Sequence, residues 1–159
     1  MRLREAILAD LPRLIREANG QGRINIQDGT KGGRAGASAP RWIAVNDHVR
    51  GALGFARQVS PAGSRNLIAP HESYLNILQE IIRPARAILH KHHLRGFHEL
   101  RAVYACERYE QITQHSAPIN GGQCYRVDWH LDREARRQVS YELGHGRIDV
   151  IVAYIGGRA

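Results

Sequence analysis

The chain has 159 residues, 43% of them hydrophobic, which suits one globular domain with a buried core. Lysine and arginine number 23 against 15 acidic residues, a formal net charge of +8 that points to an anionic partner, nucleic acid before a membrane surface. Its 2 cysteines make no disulfide framework, and no apolar run approaches the roughly 20 residues of a membrane span, so a disulfide-stapled scaffold and a membrane-spanning helix are excluded and a cytoplasmic chain is expected.

In chain order, MRLREAIL predicts a helix with Leu3, Ala6 and Ile7 on one face. Asp10 is placed to cap a second helix over LPRLIREA, with Pro12 in its first turn and Gly20 and Gly22 at its end. GRINIQ alternates Ile24 and Ile26 with polar neighbours, a strand pattern, and Arg41 to Val45 reads as a second strand. The turn-rich DGTKGGRAGASAP joins them. The result is a small antiparallel sheet near residues 23–45, with Lys31, Arg34 and Arg41 on its loop side as candidate DNA contacts.

Beyond Asp47, expected as the next cap, the periodicity turns helical. SYLNILQEIIRPARAILHKHH predicts one long helix or two broken at Pro84. FHELRAVYACERYEQITQ predicts a mostly buried helix, because Leu100, Val103, Tyr104, Cys106, Tyr109 and Ile112 cover a wide arc. SAPINGGQCYRVDWH reads as an irregular loop. LDREARRQVSYELG predicts a helix stopped by Gly144, and Asp149 is placed to cap a last short helix, VIVAYIG. The fold class is mainly α (α+β) in a single domain.

Several polar residues are candidates for chemistry. His98 and Arg101 are three apart at a helix start, so they share a face. His145 follows the glycine stop, and Tyr154 lies nine residues later. Arg2 and Glu5 are spaced i, i+3, and Lys31 sits in the turn GTKGGR. Taken singly, each has a plainer reading: surface packing, a capping histidine, a core tyrosine, a solvated charge. A zinc site from Cys106, His115, Cys124 and His130 has spacings of 9, 9 and 6, which match no common finger.

The order Arg2…Glu5, Lys31, His98-Glu99-Leu100-Arg101, Leu143-Gly144-His145 and Tyr154 resembles the tyrosine recombinase, or phage-integrase, family. The resemblance spans essentially the whole chain. It implies a helical catalytic core, bacterial or phage origin, and site-specific recombination or integration of double-stranded DNA by a self-associating protein. Cleavage would pass through a 3′-phosphotyrosyl bond to Tyr154, without metal or nucleotide cofactor. A free tyrosine, with a pKa near 10, needs a base and a strengthened electrophile. By the resemblance, Arg2 and Arg101 would clamp the phosphate, His145 would add a hydrogen bond, His98 would accept the Tyr154 proton, and Lys31 would protonate the leaving 5′ oxygen. The chain starts at the family's first motif, so the N-terminal DNA-binding domain and first catalytic-domain helices are expected to be absent from it. The 44 residues between Arg101 and His145 exceed the family's interval. The alternative is a non-catalytic DNA-binding remnant of an integrase.

Overall fold

The structure is a computed structural model that describes residues 1–30 and 40–157. Lys31 and Arg34 lie outside the described residues. The chain is mainly helical with one two-stranded antiparallel sheet, as the change of periodicity at Asp47 predicts. Among the described residues no helix is long and apolar enough to cross a membrane. Two compact units divide the chain after His93, a division that no shift in composition announces.

The first unit begins with α1 (Leu3–Ile7) and α2 (Leu11–Gln21). The Asp10 carboxylate accepts the Arg13 N–H at 3.0 Å and so caps α2, while Gly22 ends it in a left-handed conformation (φ 63°) that glycine adopts without strain. β1 (Arg23–Asn25) pairs with β2 (Trp42–Ala44) in the register Arg23↔Ala44, Ile24↔Ile43, Asn25↔Trp42. The inward isoleucines of this pair, Ile24 and Ile43, are buried, as are Ile7, Leu11, Leu14 and Ala18 of the preceding helices. α3 spans Asp47–Val59. Its cap is Asn46 rather than Asp47: the Asn46 side chain accepts the Val49 N–H at 2.9 Å, and Asp47 occupies the first helical position.

Helix α4 (Tyr74–Ile77) and helix α5 (Arg83–Lys91) are joined by a π-helical turn over Leu78–Ile82. Pro84 therefore does not break the chain into separate helices. A proline has no N–H and its ring presses on the carbonyl four residues back; the wider turn just before it gives that carbonyl room. In this turn the Arg83 N–H reaches the Leu78 carbonyl, five residues back.

The second unit holds α6 (Phe97–Thr113), α7 (Trp129–Leu143) and α8 (Val152–Ile155). Helix α6 packs on both α7 and α8. The core is Ala105, Cys106, Tyr109, Ala117, Ala135, Val139, Leu143, Ile151, Tyr154 and Ile155. The alanines Ala105 and Ala135 are wholly buried, and their small side chains let the helices approach closely. The arc predicted for α6 is too wide: Leu100 and Val103 are 50% and 54% exposed. Cys106 and Tyr109 are buried as expected, together with Arg101, Ala105 and Thr113, so a charged residue lies on the inward face.

Candidate active site

The turn after α7 is built from backbone. Gly144 is left-handed (φ 73°, ψ 36°). Its N–H bonds the Tyr141 carbonyl at 2.9 Å, and the His145 N–H bonds the Ser140 carbonyl at 3.0 Å. This 5→2 and 6→1 pair is a Schellman motif, and it sets where the His145 side chain leaves the chain. The Ser140 hydroxyl donates to the Arg147 carbonyl at 2.6 Å and closes the far side of the turn.

Arg101 reaches this turn from α6. Its Nη2 donates to the Leu143 carbonyl at 2.9 Å and stands 3.2 Å from His145 Nε2. The same Nε2 is 3.0 Å from the Tyr154 hydroxyl. Arginine has no acceptor, so the Arg101 contact is a hydrogen bond only when Nε2 carries a lone pair, as in the neutral tautomer protonated at Nδ1. That nitrogen has a single lone pair, so in this tautomer it accepts from the Arg101 guanidinium or from the Tyr154 phenol, one at a time. The His98 ring lies 5.2 Å, centroid to centroid, from the Tyr154 ring at a tilt of 49°, and the His145 ring lies 5.3 Å from it at 50°. His98, Arg101, His145 and Tyr154 thus converge within the second unit. The Tyr154 hydroxyl is hydrogen-bonded to His145, while His98, expected to take its proton, contacts the ring.

In the first unit, Arg2 is the residue before α1, and the carboxylate of Glu5 accepts both its backbone N–H and its guanidinium, the latter at 3.2 Å. Glu5 is wholly buried, and the Arg41 guanidinium lies 2.8 Å from its other oxygen. Burial alone would raise the Glu5 pKa, but bonds to Arg41 and Arg2 outweigh it and hold the pKa below its ordinary value. Arg41, expected to face DNA, is only 7% exposed; its charge is committed to Glu5 inside the unit. Glu5 is therefore more than a spacing marker, since it orients Arg2.

Further residues that hold the site carry no signal beyond spacing. Asp132 accepts from Arg136 Nε at 2.9 Å and from the Tyr109 hydroxyl at 2.6 Å, all three being buried. Arg136 Nη1 then donates to the Gly156 carbonyl at 2.9 Å, and the Cys106 thiol approaches the Tyr154 carbonyl at 3.5 Å. Both contacts fasten α8, the helix of Tyr154, to the core. Burial and the Asp132 carboxylate push the Tyr109 phenol well above its ordinary range. Glu142 gathers the Tyr104 hydroxyl at 2.7 Å and Arg108 Nε at 3.1 Å on another side of α7.

Neither a protein-family model, nor a curated protein, nor a solved structure matches the chain. Cys106 and Cys124 are buried, whereas His115 and His130 are exposed, and among the described residues no group of three or more such ligands is placed to hold a metal ion.

Proposed function

We propose that this chain is the catalytic part of a tyrosine-type DNA recombinase, cleaving and rejoining DNA through a 3′-phosphotyrosyl intermediate. The observation that carries the reading is the run Arg101–His145–Tyr154, with contacts of 3.2 and 3.0 Å across residues up to 53 positions apart. A phenol beside an imidazole, itself beside a guanidinium, brings together the nucleophile, a base when the imidazole is neutral, and the positive charge that attack on a phosphodiester needs.

In this reading the Arg101 guanidinium turns from His145 to the phosphate, and the Tyr154 oxygen attacks phosphorus and passes its proton to the lone pair so freed on His145 Nε2. The imidazolium so formed and the Arg101 guanidinium offset the charge that grows on the non-bridging oxygens. The bond to the 5′ oxygen breaks, and that oxygen takes up a proton, the role that the family resemblance gives to Lys31. Attack by a 5′ hydroxyl on the phosphotyrosyl bond reverses the step, so the bond energy is conserved. His98 packs on the Tyr154 ring and holds its direction.

The test is a nicked DNA from which the short flanking strand diffuses after cleavage, leaving the adduct trapped. An SDS-resistant adduct that is absent in Tyr154→Phe supports the proposal. The second reading, a DNA-binding protein without catalysis, is favoured by one observation: Tyr154 is only 4% exposed. A folded chain that binds duplex DNA and forms no adduct decides for that reading. An adduct surviving Tyr154→Phe would name a different nucleophile, with Tyr141 tested next.

A further inference from the structure

We propose that the segment from Tyr125 to Arg133 is a platform on which an unpaired nucleic-acid base stacks, with Trp129 as the stacking surface. This site is separate from the Tyr154 chemistry and does not depend on it.

The segment alternates between anchors and presented side chains. Cys124 and Val127 are buried at 5% and 3% exposure, while Tyr125 and Trp129 stand at 70% and 49%. Arg126, His130 and Arg133 are exposed as well. The backbone beneath them is secured. Gly122 passes so close to Ser116 that an added Cβ would meet the Ser116 carbonyl oxygen at 1.7 Å, so the loop closes tightly on its own start. The Asp128 carboxylate caps α7 by accepting the His130 and Leu131 N–H groups at 2.9 and 3.1 Å. Two large aromatics are therefore held in solvent by a built loop.

The chemistry around Trp129 selects the partner. Arg133, one turn further along α7, places its guanidinium 5.3 Å from the indole centroid, and the His130 ring meets the indole edge-on at 4.9 Å and 84°. These contacts put a cation and a second ring against the indole. Arg126 and Arg133 take part in no ion pair among the described residues, whereas the neighbouring Arg137 is paired with Glu134 at 2.6 Å. A flat ring with an uncompensated guanidinium group beside it and a second exposed arginine three residues earlier in the segment, on a chain of net charge +8, complements a ligand that is planar and anionic at once. A nucleotide in a single strand has both properties, and stacking on an aromatic is open to any base. In a duplex the bases are stacked on one another and unavailable, so single-stranded or locally unpaired nucleic acid is the ligand class.

The experiment uses Trp129 as its own probe. The chain has 2 tryptophans, so in a Trp42→Phe background the fluorescence comes from Trp129 alone. The full chain is titrated at low salt with a short oligothymidylate, a duplex of equal length, an abasic strand and inorganic polyphosphate. Strong quenching by the oligothymidylate, little by the duplex, and none by the abasic strand or polyphosphate is expected. In anisotropy with a labelled oligothymidylate, Trp129→Ala should weaken binding about five- to 100-fold. Arg133→Gln should weaken it less and lower the salt dependence by about one counterion. Trp129→Phe, which keeps a stacking ring, should recover most of the affinity, and circular dichroism of each variant confirms the fold. Because Trp129 is outside the Tyr154 site, Tyr154→Phe should quench like the parent, which separates this proposal from the recombinase reading. Equal quenching by polyphosphate or the abasic strand would show an anion patch only and overturn it. So would unchanged affinity in Trp129→Ala, or a loss of self-association in that variant with oligonucleotide binding intact.

Discussion

His145 Nε2 and the Tyr154 hydroxyl are 3.0 Å apart and are joined by only nine residues of chain. The pair is therefore set locally, by the turn at Gly144 and the short helical turns that follow. Arg101 reaches the same nitrogen from another helix, through a bond to the Leu143 carbonyl. Perturbing the turn and perturbing the arginine should have separable effects.

Gly144→Ala should destabilise the fold by about 1–2 kcal/mol, because a side chain at φ 73° presses on its own carbonyl. Gly144→Asn should lose less, since asparagine tolerates this conformation. Thermal unfolding measures both. Equal stability of the parent and the alanine variant would show that the left-handed turn does not persist in solution.

Arg101→Ala should lower adduct formation by about 100- to 1000-fold, the scale for removing one oriented donor from a charge-developing centre. It also leaves the Leu143 carbonyl without this donor, so a stability loss of about 1–3 kcal/mol should accompany it. Arg101→Lys retains the charge but not the planar fork. It should stay well below the parent in single-turnover cleavage and bind DNA nearly as well.

Arg136→Met should free the end of α8. Removing one partner of a buried ion pair costs about 3–5 kcal/mol, here somewhat relieved because the Tyr109 hydroxyl still donates to Asp132. Arg136→Lys keeps the pair but not the simultaneous bond to Gly156. Hydrogen exchange should then quicken over residues 152–156 in the lysine variant while α6 stays protected. Unchanged exchange there would show that the Gly156 contact does not hold the helix.

Glu5 gives an acid limb. Its folded pKa lies below the ordinary value of 4.5, so its contribution is complete above that pH and is lost as the pH falls through the lower folded value. Stability should thus decline below about pH 4.5, measured by urea unfolding. Glu5→Gln should be destabilised at neutral pH, because Arg41 is left buried without its counter-charge, and should show a shallower acid limb.

Where the pattern of side chains and the local backbone agree, the sequence reads clearly. Asp10, Gly22 and Gly144 stand at the helix ends their chemistry suggests, and the isoleucine alternation marks β1. His98, Arg101, His145 and Tyr154 were legible only as a set, since each alone reads as packing or capping. What was hidden depends on tertiary partners. Arg41 looks like a loop cation until Glu5 is seen beneath it. Leu100 and Val103 look like core residues until Arg101 takes the inward face. Asn46 and Asp47 are both good caps, and only the extended backbone at Asn46 decides between them. The Arg136 bond to Gly156 joins a side chain to a carbonyl 20 residues on, which no local rule anticipates.

The wide turn at Leu78–Ile82 amounts to one residue inserted into a helix that otherwise continues from α4 to α5. In alignment terms, it is where a single-residue gap is harmless. Deleting one residue there, with Pro84→Ala to remove the ring that the wide turn accommodates, should leave a straight helix with both ends facing as before. The same deletion inside α7 would rotate everything beyond it by about 100° and carry His145 away from Arg101. One helix of this chain is thus tolerant of a change in length, and the other is held to a fixed count by the site at its end.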